Sequence, residues 1–559
     1  MIRKYALQNA IKFNGKANLG AVIGRVLSEN PELKNDIQKI TKEIQGAIKE
    51  INKLSPEKQR KELETTAPEL LKEKEKEKRE GLAELKEAKK GKVVMRFEPS
   101  PSGPLHIGHA WTLGLNSEYC RMYDGKLILR IADTNPENIY EPSYRLIVED
   151  ANWVTKNNVK EVYVQSDRMG IYYSYAEDLV KKGYAYVCEC KPEDFREITL
   201  KQIPCPCRDL DKKTHLERWK RMFKGYKEGE AVVRIKTNLK EKNPALRDWP
   251  AVRIKEAEHP RQGKKYRVWP MMNFAVAVDD HELGITHTIR AKEHMDNEKR
   301  QKFIYDYMGW KMPVHLYTGR INFKDLKVSC SKTRALIEKG LYSGWDDIRL
   351  PFLLALRRRG YQPEAFIKYA LDVGASLNDK TVAAEEFFKT INAFDKEAID
   401  DNSYRFFFIE NPKKIKIENA PGQDIELDLH PDSKKGGRKF KTKDSFYIAE
   451  QDYKNLESNK LYRLMDCLNF TFKNNKFLFD SVDYQKYKKE GAAIIHWLPE
   501  DNKLVNVELL MPNNYLKKGL GEEGLAKLKE GDICQLERVG FARLDKKEKN
   551  KIVFWFAHR

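Results

Sequence analysis

No run of apolar residues in this chain approaches the ~20 needed to span a bilayer, and Met1-Ile2-Arg3-Lys4-Tyr5 leads into no apolar signal segment. Eight cysteines in 559 residues are too sparse for a secreted disulfide framework. These absences argue for a cytoplasmic protein without a membrane partner. The G-x-x-x-x-G-K-[ST] phosphate loop is missing, so any triphosphate must be held by another device. No repeat of fixed period is present, which argues against a solenoid or propeller. Acidic residues are the scarcer sign: Lys+Arg 104 against Asp+Glu 84, net +20. Such a surplus favours a polyanionic partner, because neutralising phosphates releases counterions; a solvated lysine-rich surface is the plainer alternative.

What is present falls into segments, about four domains at roughly 150 residues each. In the first 71 residues Leu33, Ile37, Ile40, Ile44, Ile48 and Ile51 recur every three or four positions, the period of amphipathic helices. Lys72 to Glu80 alternates in charge and reads as a solvated helix or linker. From Val93 strand and helix patterns alternate, with Leu127-Ile128-Leu129-Arg130-Ile131 as a buried strand, which argues for an α/β sheet. An inserted region runs from about 189 to 258, and after Gly344 the chain turns helical with Arg357-Arg358-Arg359 exposed. From about 403, short strand-like runs such as Tyr404-Arg405-Phe406-Phe407-Phe408-Ile409 lie between Gly, Pro, Asn and Asp, the pattern of a barrel-like β region.

The most informative stretch is Met95-Arg96-Phe97-Glu98-Pro99-Ser100-Pro101-Ser102-Gly103-Pro104-Leu105-His106-Ile107-Gly108-His109-Ala110. It reads as a strand, a rigid loop and a helix start. A helix N-terminus offers backbone N–H groups and a positive dipole to phosphates. His106 and His109, at i and i+3, share one face, and Gly108 leaves room for a flat base. Far downstream stands Lys327-Val328-Ser329-Cys330-Ser331-Lys332-Thr333-Arg334. Together the two stretches resemble the "HIGH" and "KMSKS" signatures of class I aminoacyl-tRNA synthetases, in the form of the glutamyl/glutaminyl branch. Ser331-Lys332 matches the central pair of the second signature; Ser329 replaces its first lysine, and Cys330 its methionine or leucine.

The resemblance implies ATP as substrate, with Mg²⁺, held by Pro99, Ser100, Gly103, His106, Gly108, His109, Ser331 and Lys332. His106, His109 and Lys332 would stabilise the charge that builds as pyrophosphate leaves. The segment Trp269 to Arg290 matches the branch's amino-acid pocket, which implies L-glutamate binding by Arg96, Ser100, Asp133, Met272 and Arg290. Two arginines suit two carboxylates, and glutamine's amide would leave one under-satisfied. This sequence departs from the branch at Ala132, where an acidic residue usually holds the α-amino group, so that Asp133, Glu98 or a water must substitute. It departs again at Met272, where an aromatic is usual.

Cys188, Cys190, Cys205 and Cys207 form two C-x-C pairs that read either as a structural Cys₄ zinc site or as four reduced thiols. Some synthetases of the branch carry zinc in this insertion. Leu429-His430-Pro431-Asp432 and Lys434-Lys435-Gly436-Gly437-Arg438-Lys439 resemble the barrel shared by archaeal-type glutamyl enzymes and glutaminyl enzymes. The implied architecture is a helical N-terminal extension with charged linker (1–91), a Rossmann-like catalytic domain in two halves (92–188 and 259–344), an acceptor-end insertion (189–258), a helical stem-contact region (345–402) and a β-barrel anticodon-binding region (403–559). The implied activity is that of an archaeal-type glutamyl-tRNA synthetase acting on tRNA-Glu; enzymes of this type often also load tRNA-Gln. Arg290 speaks against a glutaminyl enzyme, and the presence of His106, His109 and Lys332 against an inactive tRNA-binding relative.

Overall fold

The structure is a computed structural model that describes residues 2–13, 15–71, 81–326, 328–500 and 503–559. The alternating-charge run 72–80 and Lys327 lie outside the described residues. Two compact units result, Met1–Glu80 and Gly81–Arg559; residues 81–91, expected with the N-terminal extension, belong to the second.

In the first unit, helices α1 (Ile2–Lys12), α2 (Leu19–Glu29), α3 (Ile37–Ile51) and α4 (Pro56–Thr66) enclose a core of Leu7, Val22, Val26, Ile40, Ile44, Ile51 and Leu63. The isoleucine period of α3 supplies that core, except for Ile37, which sits at the helix start and is exposed.

The second unit begins with the alternating segment β1 (Val94–Phe97), α5 (Ile107–Met122), β2 (Lys126–Ile131), α6 (Ser143–Val154), β3 (Val159–Val164) and α7 (Met169–Lys182). The insertion follows as β4 (Ala185–Cys188), α8 (Pro192–Leu200), α9 (Lys212–Met222), β5 (Val232–Ile235), β6 (Pro250–Ile254) and β7 (Val268–Pro270). The α/β pattern then resumes with α10 (Met272–Glu282), β8 (His287–Ala291), α11 (Met295–Met308) and β9 (Val314–Thr318). Strands β3-β2-β1-β8-β9 form one parallel sheet. Its central strands β1, β2 and β8 are buried on both faces, which is why β2 reads as a nearly continuous apolar run. The chain winds outward from β1 to β3, leaves for the insertion, and returns beside β1 as β8. Strand order therefore reverses at β1/β8, and the carboxyl ends of these two strands flank the crevice where open α/β sheets bind ligands.

The insertion's sheet, β4-β5-β6-β7, is antiparallel and takes in Ala185–Cys188 and Val268–Pro270, so it is wider than 189–258. Next come the strand pair β10 (Ile321–Phe323) and β11 (Lys380–Val382) and helices α12 (Cys330–Glu338), α13 (Leu353–Arg359), α14 (Pro363–Val373) and α15 (Ala384–Ile399). Arg359 is buried rather than exposed; it donates to the carbonyls of Phe556 and Ala557.

Two barrels stand where one was expected. In one seven-stranded sheet the end strands are Tyr404–Phe406 and Phe408–Glu410; in the other they are Gly491–Ile495 and Trp497–Pro499. In each case a single residue, Phe407 or His496, separates the ends, so each sheet nearly closes on itself and hides its edges. The two junctions meet, with His496 Nε2 2.7 Å from the Phe408 carbonyl. No helix among the described residues is long and apolar enough to cross a membrane.

Candidate active site

The loop 98–106 carries β1 into α5, and His106 is the residue that caps the helix. Its Nδ1 accepts the Gly108 N–H at 3.1 Å, while the His106 N–H donates to His109 Nδ1 at 3.3 Å. This reciprocal cap stacks the two rings at 3.7 Å. Because each Nδ1 accepts, each imidazole carries its proton on Nε2, and that is the atom left to meet a ligand. Burial holds both rings neutral. It lowers His109 to about 4 and, with the neighbouring His109, takes His106 well below the usual histidine range.

Two expectations change. The helix does not offer free N–H groups: Ile107 N donates to the Pro351 carbonyl, Gly108 N to His106 Nδ1, and His109 N and Ala110 N to the His106 carbonyl. The donors left open at this helix start are the imidazole Nε2–H groups. Nor is Gly108 a seat for a base, since a Cβ there would lie 3.0 Å from His106 Cε1. The glycine lets the imidazole fold back over the helix.

The two signature stretches touch. A Cβ on Gly103 would lie 2.8 Å from Cys330 Cβ and 3.0 Å from Trp345, and Cys330 Sγ is 3.7 Å from the Pro104 carbonyl. The first turn of α12 is thus packed against the loop that leads to His106. In that turn Thr333 is buried while Ser331 and Lys332 are exposed; Lys332 has no ion pair or hydrogen-bond partner among the described residues. Pro99 and Gly103 are buried and Ser100 is exposed on the same loop.

At the carboxyl ends of β1 and β8, Arg96 and Arg290 converge on one carboxylate. Arg96 Nε lies 3.1 Å from Asp280 Oδ1, and Arg290 Nη2 3.3 Å from Oδ2. Arg130, fully buried in β2, adds a contact to Asp280 at 2.8 Å and one to Glu98 at 2.9 Å. Asp279 accepts from Arg168 at 2.7 Å, Tyr172 at 2.6 Å and Gln165 at 3.0 Å. Burial raises Asp280, but the three guanidiniums outweigh it and hold the carboxyl below the carboxylate range. Arg290 is itself pushed down, by burial and then by Arg96. Its Nη1 donates to Gln301 at 2.7 Å, and its buried Nε has no partner. Four guanidiniums here face three carboxylates, an excess of one positive charge.

Sequence reasoning missed Arg130, Asp279 and Asp280. The signal was available: an arginine inside an apolar strand and an Asp-Asp pair ending an apolar helix both demand buried partners. Asp133 is not in this cluster. Both of its oxygens are taken, by Tyr144 Oη at 2.7 Å, Ser166 N at 2.8 Å and Ser166 Oγ at 2.7 Å, so it braces the loop after β2. Of the candidates to replace the acid missing at Ala132, Glu98 is the one beside Arg96, at 3.5 Å. Met272, 47% exposed, lines a cavity of about 680 Å³ with Phe195, Arg234, Trp249 and Arg300. It adjoins Asn273, whose Oδ1 accepts from the same Gln301 that holds Arg290.

The sulfurs of Cys188, Cys190, Cys205 and Cys207 all lie within 4.8 Å of one another, with Cys188 and Cys190 3.5 and 3.2 Å from Cys205. Tetrahedral Zn–S bonds of ~2.3 Å place sulfurs roughly 3.8 Å apart, so the quartet fits a zinc ion. Arg234 and Arg218 lie against Cys188 and Cys207, as suits thiolate charge.

Residues 92–401 match the catalytic domain of "tRNA synthetases class I (E and Q)", and residues 403–484 and 494–545 match the anti-codon binding domain of the same class. The chain belongs to the class I glutamyl/glutaminyl tRNA synthetases. Relatives within this family include proteins named glutamate–tRNA ligase from Methanocaldococcus jannaschii (43% identity, 99% of each chain), Pyrococcus furiosus (44%, 100% of this chain and 99% of the relative) and Methanothermobacter thermautotrophicus (42%, 100% and 99%).

Proposed function

We propose that the chain is a glutamate–tRNA ligase, which converts glutamate and ATP to glutamyl-adenylate and pyrophosphate and then esterifies the 3′ end of tRNA-Glu. The observation that carries the choice of amino acid is the single excess positive charge around Arg96, Arg130, Arg168 and Arg290. Glutamate, with two carboxylates and one ammonium, balances it; glutamine leaves it unbalanced, and an unbalanced buried charge is costly. Arg290, with its unpartnered Nε, is the side-chain carboxylate's ligand, and Glu98 receives the α-ammonium.

Adenylate formation needs the glutamate α-carboxylate to attack the α-phosphate while pyrophosphate departs. Neutral Nε2–H donors of His106 and His109 meet the phosphate oxygens as charge accumulates, and Lys332 approaches from α12. Magnesium enters with ATP as part of that substrate. The insertion, whose cysteine quartet would hold a structural zinc, grips the acceptor end, the helices after 345 contact the stem, and the barrels read the anticodon by stacking and backbone charge.

Charging of purified tRNA-Glu and tRNA-Gln with labelled glutamate and labelled glutamine tests this reading: glutamate is transferred and glutamine is not. Preferential transfer of glutamine would overturn it. For the quartet, one equivalent of zinc per chain is expected, lost in Cys190→Ser/Cys205→Ser; a wild-type content well below one equivalent removes the metal.

A further inference from the structure

The peptide that enters α5 is gripped from two sides. On one side stands the start of α13: Leu353 N donates to the Leu105 carbonyl at 2.9 Å, and Ile107 N to the Pro351 carbonyl at 3.2 Å. On the other stands α6, whose Asp150 is 1% exposed. Asp150 Oδ2 accepts the Leu105 N–H at 3.1 Å, while its Oδ1 is buried without a hydrogen-bond partner. Leu105 directly precedes His106, so this bond fixes the peptide from which the first imidazole springs.

An acid is a costly choice here. Its neighbours along the buried face of α6 are Leu146, Ile147, Ala151 and Val154, and a half-satisfied buried carboxylate destabilises a fold. The charged groups facing it are Arg357 on α13 and Glu149 on α6, themselves 3.9 Å apart; the loop contributes the Leu105 amide. Burial raises Asp150 against the pull of Arg357 and the amide, to about 7. The carboxyl therefore changes charge within the working range of a neutral-pH enzyme.

We propose that Asp150 is a positioning residue for adenylate formation, its carboxylate holding the Leu105 amide so that His106 meets the triphosphate in register. The inference rests on His106 as a phosphate donor, the reading given above. A carboxylate accepts an N–H bond more strongly than a neutral oxygen does, so the ionised form holds the loop better.

The test is ATP–pyrophosphate exchange by the full-length protein, with tRNA-Glu present, between pH 6 and 8.5, with thermal melting alongside. Wild-type kcat rises with pH through about 7. Asp150→Ala lowers kcat on the order of tenfold at pH 8, the cost of one charge-assisted bond, with KM for ATP and glutamate little changed. Asp150→Asn retains an acceptor oxygen, keeps more activity than Asp150→Ala and loses the inflection near pH 7. It also melts at or above the wild-type temperature at pH 8, because a raised carboxyl destabilises the fold once ionised. A wild-type kcat in Asp150→Ala, or a wild-type pH profile in Asp150→Asn, would overturn the proposal. Should Asp150→Ala not fold, the Asp150→Asn profile decides alone. His106→Ala, run in parallel, separates the two readings: inactivity there with normal Asp150 variants sinks only the positioning role, whereas normal activity there sinks the site.

Discussion

The two halves of the candidate site are built on opposite electrostatic principles. Around His106 and His109 the imidazole donors are neutral, and their rings are oriented by bonds within three residues of sequence, on a peptide held by Pro351, Leu353 and Asp150. Around Asp280 the side chains are ionised, buried and drawn from strands and helices up to 194 residues apart, as Arg96 and Arg290 show. A triphosphate brings its own charge and cation, so it needs oriented dipoles whose protonation does not drift. A small dicarboxylate must be told from its amide, and a site with an unbalanced charge does that.

That contrast can be broken from its charged side first. Asp280→Ala leaves three guanidiniums without their shared partner and should destabilise the fold by about 3–5 kcal/mol, the range for a broken buried pair; a melting shift near zero would mean that solvent or Glu98 compensates. On the histidine side, His106→Ala and Lys332→Ala should lower the activation rate by about 10²–10³-fold, as loss of an oriented transition-state donor does; Lys332→Ala should preserve the melting temperature, whereas His106→Ala also removes the cap of α5 and should cost about 1 kcal/mol of stability. Arg290→Ala should raise KM for glutamate on the order of tenfold or more while KM for ATP stays put; a defect in ATP alone would remove Arg290 from the pocket.

A further effect is one of pH. The fold favours neutral His109, whose pKa falls from 6.5 to about 4, and His106 moves the same way. Their contribution to stability is complete above pH 6.5 and is lost as pH falls toward 4. Melting temperature should therefore decline in that window, and less so in His109→Gln.

The same contrast explains what was legible in the sequence. The cap at His106 occupies sixteen contiguous residues, so residue types and spacing were enough to find it. They were not enough to show its hydrogen bonds: the expected free N–H groups prove to be taken by Pro351 and His106 itself. Arg130 sits mid-strand in an apolar run and read as part of a core, yet an arginine there requires a buried acid, and Asp279-Asp280 was the matching signal. Asp133 was misplaced because a turn aspartate beside a pocket cannot be told, from sequence, from one that braces the turn. The two barrels were read as one region because closure depends on which strands pair, such as Tyr404–Phe406 with Ile533–Leu536, and no local pattern encodes that.

The division of labour is tested most directly by glutamate-dependent ATP–pyrophosphate exchange, with tRNA-Glu present, in wild type, His106→Ala and Arg290→Ala, with each substrate varied in turn. The account predicts that His106→Ala lowers kcat with KM for glutamate unchanged, and that Arg290→Ala raises KM for glutamate with KM for ATP unchanged. The same defect in both variants, or the two defects exchanged, would contradict it.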